Sequence, residues 1–210
     1  MPRKHIAYYR ILEALDKPGC PVCSLVEEDI RKRVEWIFHE HVNDPGVRRK
    51  LVESRGFCAR HNEILLELGH PLGVAIIYRD IVDSISADLE RTSGSSRSGK
   101  QRAKCLACEL IERNEQQYLS VAAEHFSEEE LRAGILASRG LCIPHLQKLL
   151  GLLSPREQNE LKRGVLLQLS ELRSELSEIV RKSDYRCEEP WGSEGDAWIR
   201  AVRKVSGCSV

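Results

Sequence analysis

The residues of this chain best able to do chemistry fall into two matched sets. Cys20-Pro21-Val22-Cys23 is followed by Cys58-Ala59-Arg60-His61, and Cys105-Leu106-Ala107-Cys108 by Cys142-Ile143-Pro144-His145. Thiolate sulfur and imidazole nitrogen are the donors Zn²⁺ takes in tetrahedral sites, and a Cys-x-x-Cys turn offers two sulfurs from one knuckle. A Cys-x-x-His at a helix start points both side chains the same way, because residues i and i+3 share a face. Each set therefore supplies four ligands. The order along the chain assigns one Zn²⁺ to Cys20, Cys23, Cys58 and His61, and a second to Cys105, Cys108, Cys142 and His145. Catalytic zinc usually keeps one position open for water; here all four positions are filled, so the two expected Zn²⁺ ions are structural. The same donors can hold an iron–sulfur cluster, with no further pointer to iron. Metal-bound thiolates can also act as oxidation sensors.

The two sets are copies of one unit. The first cysteine recurs after 85 positions, Cys20 to Cys105, and the histidine after 84, His61 to His145. Ser54-Arg55-Gly56 and Ser138-Arg139-Gly140 precede the second half of each set. The expected organisation is a first unit over 1–90, a linker rich in Ser, Gly and basic residues over 91–102, a second unit over 103–183 and a tail over 184–210.

Helices must position these ligands. Val26, Ile30, Val34, Ile37 and His41 recur on one helix face after Cys23. Asn43-Asp44-Pro45 offers a cap and a first-turn proline for a second helix, ending at Gly56 as the C′ residue. A third segment starts at Cys58 with Leu65, Leu66 and Leu68, and a fourth carries Val74, Ile77, Ile81, Ile85 and Leu89. The second unit repeats this order and ends in a long helix with Val165, Leu169, Leu172, Leu176 and Ile179. A helix over Ile6 to Leu15 precedes everything, and a short one over Glu194 to Val205 closes the chain. The fold class is all-α: two pseudo-repeated helical units packed as a bundle, each stapled by a Cys3His metal site.

Composition narrows the function. Of 210 residues, 32 are basic and 32 acidic, which disfavours a generic nucleic-acid binder because such proteins need excess cations to displace counterions. The basic cluster Arg91, Arg97, Lys100, Arg102 and Lys104 reads as solvated linker, with a nucleic-acid contact as the alternative. No signal peptide or membrane-spanning run is visible, so a cytoplasmic location is expected, where paired cysteines suggest metal rather than disulfides. His41 and His125 occupy equivalent repeat positions, as fifth ligands or proton shuttles in the sharper reading and as polar residues near helix C-termini in the plainer one. His5, His39 and His70 read as surface residues. Cys187 and Cys208 lie outside the repeat and read as free thiols. Trp191 and Trp198 read as anchors of a docked tail, with an aromatic binding surface as the alternative.

Cys-Pro-x-Cys, then Gly-Phe-Cys-x-x-His, then Leu72-Gly73-Val74-Ala75-Ile76-Ile77, resembles an uncharacterised bacterial family known only as a domain of unknown function. The resemblance covers mainly Cys20 to Asp83, with a weaker echo from Cys105 to Glu171, where Cys105-Leu106-Ala107-Cys108 lacks the proline. It implies a helical protein with Cys20, Cys23, Cys58 and His61 as ligands, and says nothing about activity. No phosphate loop, dinucleotide fingerprint or catalytic triad order appears. The leading expectation is a zinc-binding scaffold or regulatory adaptor contacting another protein; a metal-thiolate redox sensor or metalloenzyme, and a nucleic-acid-binding regulator, are the alternatives.

Overall fold

Prolines and capping side chains set most of the helix starts. In the computed structural model, which describes residues 5–91, 103–137 and 140–207, the helices are α1 (Ile6–Leu15), α2 (Pro21–Glu40), α3 (Pro45–Glu53), α4 (Ala59–Leu68), α5 (Pro71–Arg91), α6 (Leu106–Glu124), α7 (Glu129–Ala137), α8 (Ile143–Leu150), α9 (Pro155–Lys182) and α10 (Ala197–Ser206). A 3₁₀ turn at Ser193–Asp196 leads into α10, and no strand occurs among the described residues. Asp44 caps α3 by accepting from the Val47 amide at 2.8 Å, with Pro45 in the first turn. Ser154 and Glu157 form a capping box on α9. The linker core, including Arg97, Lys100 and Arg102, and also Ser138, Arg139 and Cys208, lie outside the described residues.

The end of α3 corrects one expectation. The left-handed C′ residue is Arg55, φ 51°, and Gly56 follows it at φ 78°. The Arg55 amide donates to the Val52 carbonyl and the Gly56 amide to that of Leu51, the pattern of a Schellman motif. Gly56 is needed for space as well as for its φ: a Cβ there would lie 2.9 Å from the Tyr78 hydroxyl.

The sequence repeat and the compact units divide the chain differently. Instead of following 1–90 and 103–183, one unit comprises Met1–Val26 with Glu115–Val210, and the other Glu27–Asn114. The division falls inside α2 and inside α6, so each long helix contributes to both units.

In the first unit, Tyr8, Ile11, Leu119, Phe126, Leu131, Leu149 and Leu161 are buried. The Tyr8 hydroxyl donates to Glu128 at 3.0 Å. Two glycines let neighbouring side chains close in: a Cβ on Gly134 would meet Leu15, and one on Gly164 would meet Leu136. The tail docks, but not through its tryptophans, which are 53% (Trp191) and 54% (Trp198) exposed. Polar and small groups hold it instead. Ala197 is buried, Glu194 accepts from Lys182 at 2.8 Å and from the Gly192 amide at 2.9 Å, and Arg200 pairs with Glu175 at 2.7 Å. Cys187 is partly exposed among the polar residues of this tail.

In the second unit, the expected stripe of α2 is buried at Ile30, Val34 and Ile37, and Leu51, Phe57, Leu65, Ile77 and Ile81 are buried as well. Leu66 and Leu89, expected on inward faces, are exposed. Arg48 of α3 donates to Asp80 of α5 at 2.8 Å, and Tyr78 donates to Asn62 at 2.8 Å. Buried Gly73 brings α5 against α2: a Cβ there would lie 2.9 Å from the Phe38 carbonyl oxygen and 3.3 Å from its ring. Gly73→Ala gains up to about 1 kcal/mol of helix propensity and loses about 1–3 kcal/mol to overpacking against backbone. The expected outcome is a lower denaturant midpoint at unchanged slope in chemical unfolding.

Candidate metal centres

Four helix N-termini carry all eight ligands. Cys58 and Cys142 sit at the N-cap positions of α4 and α8 with extended backbone, and His61 and His145 follow in the first turns. Cys20 and Cys105 occupy the same place before α2 and α6: their carbonyls accept from the Ser24 and Glu109 amides, and Cys23 and Cys108 lie in the first turns. A helix N-terminus presents partial positive charge, which favours thiolate over thiol.

The structure brings all eight predicted ligands into two clusters but pairs them across the repeat. One cluster is Cys20, Cys23, Cys142 and His145; the other is Cys58, His61, Cys105 and Cys108. Each Cys-x-x-Cys knuckle meets the Cys-x-x-His of the opposite copy. The physical reason is the unit boundaries: the start of α2 belongs with α8, and the start of α6 with α4. Both clusters have the donors and spacing to hold a metal ion. His41 and His125 belong to neither. His41 stacks on Trp36 with centroids 3.4 Å apart, and His125 bonds Glu128 at 2.7 Å, each just past a helix C-terminus.

In the first unit's centre, His145 Nδ1 lies 3.0 Å from Cys142 Sγ, 3.3 Å from Cys20 Sγ and 3.4 Å from Cys23 Sγ. All four ligands are buried. The other ring nitrogen, Nε2, is 2.7 Å from Glu115, which also pairs with Lys148 at 2.6 Å. A carboxylate behind a ligating histidine fixes the ring and raises its basicity. α10 closes the other side. A Cβ on Gly207 would lie 3.4 Å from Cys142 Sγ, and Lys204, held by Gln168 at 3.0 Å, has its pKa lowered by burial, against the opposing charges of Cys20 and Cys142. Sequence reasoning passed over Glu115, Lys148 and Lys204; Glu115 precedes its histidine by 30 positions, with no local pattern to mark it. Glu115→Ala is expected to weaken metal binding here by about 10–100-fold, with the other centre unchanged, measured by competition with a chromophoric chelator.

In the second unit's centre, His61 Nδ1 lies 3.2 Å from Cys58 Sγ, 3.5 Å from Cys108 Sγ and 3.6 Å from Cys105 Sγ. Cys58 and Cys108 are 3.9 Å apart and partly exposed, while His61 and Cys105 are buried.

Without metal, the centres hold protons differently. Hydrogen bonds with Cys142 and Cys23 keep the Cys20 thiol far below its usual value, against burial. Burial opposes the imidazolium of His145, but its bonds to Cys142 and Cys20 push it up to about 10. In the second centre, burial and then the Cys105 charge push Cys108 up to about 12. For Cys58, burial acts upward but is outweighed by the His61 amide and the Cys108 thiol, and the net direction is down. At neutral pH a metal must therefore displace a proton from His145 in one centre and from Cys108 in the other. Metal uptake by the metal-free chain is expected to acidify a weakly buffered solution by at least one proton per centre, and affinity to fall as pH is lowered. Potentiometric titration checks this.

The described residues thus define an all-helical protein with two Cys3His clusters. The chain belongs to DUF6062, a family of unknown function, which matches it over residues 3–210. It is also similar to an "Uncharacterized 23.9 kDa protein in xynA 3'region" of Caldicellulosiruptor sp. (strain Rt8B.4), 27% identical over 203 residues, spanning 94% of this chain and 99% of that protein. No solved structure matches it. No helix among the described residues is long and apolar enough to cross a membrane.

Proposed function

We propose that the protein is a zinc-stapled helical scaffold that offers a rigid surface to another protein. The observation that carries the zinc reading is that each cluster is complete within its own unit. Zn–S bonds of about 2.3 Å in a tetrahedron set sulfurs about 3.8 Å apart; the separations are 3.8 Å for Cys23–Cys142 and 3.9 Å for Cys58–Cys108. Three sulfurs and one nitrogen fill the shell, which suits structural zinc. The partner reading is supported by the outward side of α10, where Trp198, Val202 and Val205 recur at helical spacing and stay exposed. Elemental analysis together with thermal unfolding tests the zinc reading: two zinc ions per chain are expected, with a large drop in melting temperature on chelation. A visible absorption band from iron, or an unchanged melting temperature after metal removal, overturns it.

One observation favours a second reading, a metal-thiolate redox sensor. Cys58 and Cys108 combine partial exposure with adjacent sulfurs, the conditions under which bound thiolates oxidise.

A further inference from the structure

The second unit contains a cavity of about 230 Å³ between α2, α3 and α6 that neither ligand set occupies. Its floor is apolar: Ile30, Val34, Ile37 and Phe57 are buried. Its rim carries Arg33, Lys50 and Arg113, against one carboxylate, Glu109. Nearby cations are matched within the fold, Lys32 with Glu28, Arg48 with Asp80 and Lys104 with Glu112. Among the described residues, none of the three rim cations pairs with a carboxylate. Arg33 lies over the Trp36 ring, 4.0 Å from its centroid, which orients the guanidinium without neutralising it. Burial, then the charge of Arg113, lowers the Arg33 pKa, so the two guanidiniums repel each other at the same cavity. Repelling cations at the edge of an apolar floor suit an anion with an apolar body.

We propose that this cavity binds a small amphiphilic oxyanion. Its carboxylate or phosphate head is held by Arg33, Arg113 and Lys50, and its short apolar tail lies on the α2 floor. Guanidinium groups bind such heads through paired charge-assisted hydrogen bonds. The volume lies just below the usual range for drug-sized ligands, which selects a short tail. The walls reach the adjacent metal centre, because Phe57 precedes Cys58, and Leu106 and Ala107 separate Cys105 from Cys108. The inference does not depend on which metal that centre holds.

The test is calorimetric titration of the full chain, as purified with its metal, with octanoate, octyl phosphate and octanol. One or both anions are expected to saturate at one per chain, with octanol binding far more weakly; the preferred head distinguishes a carboxylate ligand from a phosphate ester. The Arg33→Gln/Arg113→Gln variant is expected to lose at least about tenfold in affinity, equivalent to about 1.4 kcal/mol, at unchanged metal content. Leu110 also lines the cavity, and Leu110→Trp, which narrows it, is expected to weaken binding by a similar factor. No saturable binding of either anion at millimolar concentration, octanol binding as tightly as the anions, or an arginine variant that binds like wild type would each overturn the proposal.

Discussion

Replacing Cys20 and Cys142 together by serine is expected to leave one zinc per chain, and replacing Cys20 and Cys58 together to leave none. The two cysteines of the first pair belong to one centre, those of the second to different centres. Were the ligands paired in sequence order, the outcomes would be exchanged. Structural zinc contributes on the order of 10 kcal/mol of apparent folding free energy, so losing one ligand already costs most of what that centre supplies. Cys142→Ser added to Cys20→Ser should therefore cost little more, whereas Cys58→Ser added to Cys20→Ser should collapse the second unit as well. Elemental analysis after desalting and thermal unfolding of the singles and doubles measures both. A Cys20/Cys142 double variant without zinc would refute the crossed pairing.

The second large effect is a difference between the centres in how they give up metal. A strong chelator is expected to remove one zinc promptly, from Cys58, His61, Cys105 and Cys108, and the other only as the protein melts. Cys58 and Cys108 are partly exposed, whereas all four ligands of the other centre are buried beneath α10 and Glu115. Direct attack needs access to sulfur; without it, release waits on local opening. Mild peroxide should follow the same order. Two thiolates give two electrons to the O–O bond and join as a disulfide; Cys58–Cys108 at 3.9 Å and Cys23–Cys142 at 3.8 Å are both close, but the first pair alone is partly exposed. Alkylation and mass spectrometry after each zinc equivalent is lost locate the oxidised residues. Simultaneous loss of both metals would show that accessibility does not govern release.

What could be read from sequence follows the distance over which information is encoded. The ligand identities were legible because each half-site is local: two donors three residues apart at a helix start. α1 was legible to the residue, and α3 through Asp44 and Pro45. The pairing was not. Two knuckles and two Cys-x-x-His turns of the same type allow two matchings, and spacing cannot choose between them. Long-range packing chooses, for example the approach of Leu15 to Gly134. The tail misled for a related reason: tryptophan is usually an anchor, but here Glu194, Arg200 and Lys204 find partners on α9, and the rings stay outside. The outer support at Glu115 has no sequence signature, because it becomes a neighbour of His145 only after folding.

Crossed pairing also favours one order of assembly over another. Contacts in the second centre join residues 44 and 50 positions apart, His61 to Cys105 and Cys58 to Cys108. Those in the other join residues 119 and 125 apart, Cys23 to Cys142 and Cys20 to His145. One loop is nested inside the other, like an inner button under an outer clasp. Closing the inner loop first shortens the effective span of the outer one, and closure entropy grows with span. During synthesis the knuckle that emerges first must wait for the partner that emerges last. A chain ending near residue 90 would carry half of each centre and complete neither.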